Sequence, residues 1–229
     1  MKNLFKLAVP TIAAIAATFS INANAAVLVI DLEDETNGGG FFAKITLTDT
    51  ASGKVKITAD IADPINSGLT QGDILGLGLN ILDDSLLSTL SVVTPIVGYG
   101  KDSNGDEYTE TNLTISPVCF EASNCDVYNG GTNGENLDMS FGIGVQGSEQ
   151  GFLQTVEFHL SSTSTDFDAT DFLGQLGAMR VQSILGTTFT SGSSKLSSEA
   201  NTEVPEPSSL ALLALGLAGV GFSRRVARK

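Results

Sequence analysis

Short apolar runs broken at close intervals by turn residues are what most constrain this chain, because no segment of its interior holds a helical period long enough for an amphipathic helix. Turn clusters stand at Asn37-Gly38-Gly39-Gly40, Ser52-Gly53, Asn66-Ser67-Gly68, Asn104-Gly105, Asn129-Gly130-Gly131 and Gly186. These residue types supply positive φ angles or side-chain hydrogen bonds to a turning backbone. Between them lie runs rich in β-branched and aromatic residues: 27–30, 41–47, 55–61, 74–81, 90–93, 113–118, 141–145, 156–160 and 179–184. Ile45/Leu47 and Val55/Ile57 alternate with polar neighbours, the period of a strand with one buried face. About nine short strands at this spacing predict a mainly β fold, an antiparallel β-sandwich of jelly-roll or Ig-like type. Two short helical stretches fit around residues 83–89 and 169–176.

The two ends read differently from the middle. Met1-Lys2-Asn3-Leu4-Phe5-Lys6 is basic, residues 7–21 are apolar apart from Pro10, and Ala23-Asn24-Ala25 forms an A-x-A cleavage site. This is the pattern of a secretory signal peptide over residues 1–25, with Ala26 as first mature residue. A cut after Ala26 is the alternative. At the other end, Val204-Pro205-Glu206-Pro207 precedes the uncharged run Ser209 to Phe222, and Arg224, Arg225, Arg228 and Lys229 follow it. The two prolines hold the chain extended. The 14-residue run that follows spans on the order of 20 Å as a helix. A bilayer core needs roughly 20 apolar residues, so this helix makes a temporary stop, with its basic end on the cytoplasmic side.

That order, a Pro-Glu-Pro tripeptide, a short hydrophobic helix and an arginine cluster, resembles the PEP-CTERM sorting signal. The resemblance implies export in Gram-negative fashion through the Sec machinery, transient inner-membrane contact, recognition by an exosortase-type transpeptidase and a cut near Pro-Glu-Pro. It further implies delivery to the cell surface or extracellular matrix. Residues 172–175, 179–183 and 192–196 also resemble, loosely, a stretch that often precedes this tail, which implies a shared last strand and no common enzymatic activity. The resulting division is a signal peptide (1–25), a β-sandwich (26–190), a Ser-rich spacer (191–203) and the sorting signal (204–229).

Charge and cysteine usage agree with an exterior location. The full chain carries −14, but residues 26–204 hold 25 Asp/Glu against six Lys/Arg, or −19. Such a body repels nucleic acid and anionic surfaces. Cys119 and Cys125, an even pair in an exported chain, are expected to form a disulfide. It would close a small acidic loop and contribute about 2 kcal/mol by loop-closure entropy.

Candidate chemistry is sparse. Asp102, Asn104 and Asp106 follow the one-three-five oxygen spacing of a Ca²⁺ loop. Glu107 stands where that loop needs glycine and Leu113 where it needs a bidentate Glu; an Asn-Gly hairpin turn accounts for the same residues. The sole histidine, His159, falls by alternation on the polar face of its strand with Thr155 and Glu157, the place of an ordinary solvent-facing residue. Arg180, the only arginine of the body, reads as a structural partner for carboxylates. No nucleophile elbow, zinc-binding His pair or phosphate loop is present. The expectation is a protein that is not an enzyme, holds no cofactor unless Ca²⁺, and belongs to the surface or extracellular matrix, in association with exopolysaccharide or biofilm. The competing expectation is a carbohydrate- or Ca²⁺-binding module, with a carboxylate glycosidase a further alternative. The absence of Trp and the presence of only three Tyr count against a carbohydrate-stacking platform.

Overall fold

A computed structural model describes residues 26–34, 41–62, 64–111, 113–126, 136–143, 151–187 and 192–199. Among them run eleven strands: β1 (Val27–Asp34), β2 (Phe42–Ala51), β3 (Lys54–Asp60), β4 (Leu69–Leu79), β5 (Leu90–Lys101), β6 (Glu107–Glu110), β7 (Val118–Cys125), β8 (Leu137–Gly142), β9 (Phe152–Ser162), β10 (Leu176–Gly186) and β11 (Gly192–Glu199). All join one sheet in the order β6-β5-β9-β3-β2-β1-β11-β10-β4-β8-β7, and every pairing is antiparallel.

Alternation dictates which face is buried. Along β2, Ala43, Ile45 and Leu47 are buried; on β3 it is Val55, Ile57 and Ala59, and on β9 Val156, Phe158 and Leu160. Their neighbours Lys44, Thr46, Lys56, Thr58 and Glu157 reach water in part. Lys56 Nζ meets Glu157 Oε1 at 2.8 Å across β3 and β9, and Lys44 Nζ lies 3.7 Å from Asp31 Oδ1 across β1 and β2. The β2–β3 hairpin needs glycine at residue 53. Its φ is +68°, and a Cβ there would stand 2.7 Å from the Ser164 carbonyl oxygen.

The sheet curls into a half-barrel, so that strands far apart in its order face each other over one core. Phe141 on β8 and Phe158 on β9 bring their ring centroids to 5.0 Å, and Leu153 N of β9 donates to Asp73 Oδ1 of β4 at 3.1 Å. The mainly β, antiparallel expectation holds, and its layered arrangement is made from one continuous sheet. At one end a second layer forms. Gly78 and Ala178 pair in register and turn away from Leu77 and Met179. There Ala178 joins Cys125 and Leu137 in a small cluster, and a Cβ on Gly78 would lie 2.2 Å from Leu137 Cδ1.

Three expectations need correction. Residues 192–199, read as part of a spacer, form β11 near the centre of the sheet, where Leu196 pairs with Asp34 and with Met179. Leu196 is 1% exposed and is the one large apolar residue of this strand, so its serine-rich neighbours masked the pattern. Residues 113–117 are not strand. The strand starts at Val118 and takes in both cysteines, which were expected in a loop. Finally, β6 was not foreseen. The helical stretches are short 3-10 turns, Asp84–Thr89 capped by Asp83 and Ala169–Phe172 capped by Asp168. The acidic run 166–171 is therefore largely spent on capping, since Asp168 Oδ1 accepts from Thr170 N and Asp171 Oδ2 from Asp168 N.

The sheet's edges carry their own protection. β6 covers only Gly98–Lys101 of β5. Along the rest of β5 the ladder to β9 skips from Val93 to Val97 around Pro95. Proline has no N–H to offer and an irregular edge pairs poorly with other chains.

Candidate functional site

The hairpin joining β5 to β6 is built around Asp102. Its Oδ1 accepts from Asn104 N at 2.8 Å and from Asp106 N at 2.9 Å, while Asn104 Nδ2 donates to Oδ2 at 3.2 Å. Gly105, with φ +87°, closes the turn by donating its N–H to the Asp102 carbonyl at 3.0 Å. These hydrogen bonds, led by that from Asp106 N, hold the Asp102 carboxyl below its ordinary value. Asp102 and Asn104 thus build the turn, and their carboxylate and amide are engaged within it. Among the described residues no group of three or more His, Cys, Asp or Glu gathers at metal-binding distances.

Beside this hairpin opens a pocket of about 620 Å³, bordered by Tyr99, Lys101, Glu107, Tyr108 and Gln154. Its strands are β5, β6 and β9, where Tyr99 pairs with Thr155 and Lys101 with Glu107. Between Tyr99 and Gly100 the β5–β9 register shifts, and the additional residue on β9 is Gln154. Gln154 is 5% exposed, its carbonyl accepts from Ile61 N at 2.9 Å, and its amide Nε2 is buried with no hydrogen-bond partner among the described residues. Thr155 Oγ1 is already committed to Asp60 Oδ1 at 2.8 Å. Burial first, then the negative charges of Asp73 and Glu110, push the Tyr108 phenol above its ordinary value. It is therefore neutral across the physiological range. Asp73 itself is buried on β4. Although Leu153 N and the Gln182 side chain hydrogen-bond to it, desolvation outweighs them and its carboxyl is pushed up to about 6.

Tyr99, Lys101, Tyr108 and Gln154 were not singled out by the sequence, and Glu107 entered only as a departure from the Ca²⁺-loop pattern. A signal existed, because Tyr99 and Tyr108, two of the chain's three tyrosines, flank the Asn-Gly turn closely. Residues that were singled out lie elsewhere. His159 is half-buried on β9, in register with Lys56 and Val93. Arg180 is half-buried on β10, in register with Gly76 and Lys195.

On the opposite edge, Cys119 and Cys125 are joined by a disulfide, their Cα atoms 5.7 Å apart. It spans a bulge in β7, between Phe120 and Cys125, where Ser123 adopts φ 53°. The buried Asp138 fixes that shape. Its Oδ1 accepts from Ser123 N at 2.7 Å, and its Oδ2 from Ile81 N at 3.0 Å.

The start of the described chain has a specific neighbour. The Ala26 nitrogen donates to Asp49 Oδ2 at 3.1 Å, and Asp49 Oδ1 accepts from Ala169 N at 2.7 Å. A cut between Ala25 and Ala26 would turn that nitrogen into an ammonium facing a carboxylate.

The remaining expected sites, Ala23 and Ala25 of the signal cleavage and Val204, Pro205, Glu206, Pro207, Arg224 and Arg225 of the tail, lie outside the described residues. So does the apolar run 209–222; among the described residues no helix is long and apolar enough to cross a membrane. Residues 203–225 match the PEP-CTERM protein-sorting motif. No curated protein and no solved structure matches the chain. The motif is the address read by an exosortase, and it implies export to the cell envelope or surface. The chain thus carries the PEP-CTERM protein-sorting motif over residues 203–225, which supports its being an exosortase substrate.

Proposed function

We propose that the chain is a non-catalytic component of the cell surface or extracellular matrix, whose β domain associates with exopolysaccharide once an exosortase has released it. The sorting motif at residues 203–225 carries this reading. Three features support it. The body is strongly acidic and thus soluble and repelled by nucleic acid, its two cysteines are paired, and Asp49 stands ready to receive an ammonium at Ala26. Within this reading the Sec machinery and the exosortase are successive partners, and membrane contact is temporary. The second reading, a carbohydrate-binding module, is favoured by the tyrosine-flanked pocket beside the β5–β6 hairpin.

Replacing Pro205-Glu206-Pro207 by three alanines tests the sorting step. Export should persist while processing stops, so that uncut protein accumulates in the membrane fraction. Shortened protein outside the cell from that variant would contradict the proposal.

A further inference from the structure

We propose that the end of the half-barrel where β1 begins and β11 finishes is held against the exosortase, and that the body is already folded when its tail is cut. This rests on the reading of the tail as a sorting signal, and it names the surface that meets the enzyme.

The register attaches both processing sites to one end of the sheet. β1 and β11 run antiparallel, with Glu33 opposite Ser197 and Asp34 opposite Leu196. β1 therefore enters the sheet from the end at which β11 leaves it. The cut expected before Ala26 and the motif at residues 203–225 are both attached there. The same end carries the β2–β3 turn at Ser52-Gly53 and the 3-10 turn Ala169–Phe172, tied to Ala26 through the Asp49 carboxylate. Leu82 joins them, its N–H donating to the Asp171 carbonyl at 2.8 Å.

Length decides how close the enzyme comes. Only residues 200–203 stand between β11 and Val204. The six residues from Glu199 to Pro205 reach at most about 20 Å. Residues 26–199, as a compact body, have a radius of gyration of about 16 Å. The tether is thus shorter than the body is wide, and an enzyme that grips Pro205-Glu206-Pro207 meets the end of the body. Fraying lengthens the tether little. β11 pairs with β1 on one side and β10 on the other and buries Leu196, so drawing it out opens the core. Charge selects protein over lipid as the neighbour. Burial first, then the charges of Asp168, Asp83 and Asp49, raise the Asp171 carboxyl above its ordinary value. Carboxylates thus gather at this end, and anionic headgroups repel them.

The test is photo-crosslinking of the full chain in the producing cells, with an inactive exosortase so that uncut protein accumulates. A benzophenone amino acid takes the place of Ser52 or Leu82, exposed at the proposed end. In the controls it takes the place of Ser67 or Ser103, exposed at the other end in the β3–β4 and β5–β6 connections. Crosslinks to the exosortase are expected to be about tenfold more abundant from Ser52 and Leu82. Inserting about ten Gly/Ser residues after Glu199 should cut that yield about sixfold, because effective concentration falls roughly as the −3/2 power of tether length. Protease added to spheroplasts should leave the body of the uncut chain intact. The inference is overturned if both ends crosslink alike, if the far end crosslinks more, if the longer tether leaves the yield unchanged, or if protease degrades the uncut body. Replacing Pro205-Glu206-Pro207 by three alanines separates the two claims. If that variant escapes processing while no position in the unreplaced chain crosslinks, the sorting reading stands and the docking end fails. If that variant is still shortened outside the cell, the sorting reading itself fails.

Discussion

Asp73 pays for its place in the core with a perturbed carboxyl, and the consequence can be measured. In the unfolded chain it titrates near 3.8, and in the fold at about 6. Between those values the folded state holds a proton that the unfolded state has lost, so stability falls as pH rises from about 4 to 6. At about 1.36 kcal/mol per pH unit, the loss from this residue is on the order of 3 kcal/mol. Asp73→Asn keeps an acceptor for Leu153 N and removes the charge. In urea unfolding, the variant is expected to gain on the wild type from pH 4 to pH 6 and to be the more stable chain at pH 7; a constant difference between the two would contradict the assignment. Asp49 makes a prediction of the same sign at higher pH. In protein cut before Ala26, the α-amino group would sit beside this carboxylate and titrate above its ordinary value of about 7.7–8.0. Its contribution, roughly 1 kcal/mol for a partly exposed pair, is present below that ordinary value and is lost as pH rises through the raised one. NMR titration of the Ala26 amine should show the rise in wild type and its loss in Asp49→Asn. An unshifted amine in both would place the cut elsewhere.

At the level of strands, β11 shows most clearly what could and could not be read from the chain. Strands with clean alternation and several branched apolar residues, such as β2, β3 and β9, were legible because each buries a row of side chains on one face. β11 buries Ser194 and Leu196, and its place is secured by backbone ladders to β1 and β10 that leave no mark in composition. β7 was hidden for a related reason. Its cysteines and its polar stretch Glu121-Ala122-Ser123-Asn124 suggest a loop, and it becomes a strand because the disulfide and Asp138 hold its bulge against β8. The pocket was illegible because it arises from a register shift between β5 and β9, which places Gln154 beside Tyr99 and Tyr108 only after the sheet forms. Leu196→Ala discriminates strand from spacer. It should destabilise the protein by about 3 kcal/mol, seen as a lower urea midpoint with an unchanged slope. No effect would return residues 192–199 to the role of a linker.

For the whole molecule, the distribution of charge and the sorting motif tell one story. Six of the twelve basic residues fall in residues 1–25 and 205–229, leaving the body at −19, and the body's last strand ends at Glu199, shortly before the motif at 203–225. Once those ends are removed, what remains is an acidic, disulfide-bonded half-barrel with a pocket at one rim. Intact mass spectrometry of the protein recovered from outside the cells tests this account most directly. It predicts a chain that begins at Ala26, ends before the apolar run starting at Ser209, and gains two hydrogens on reduction as Cys119 and Cys125 separate. Exterior protein that still carries Met1 or Arg228-Lys229 would contradict it.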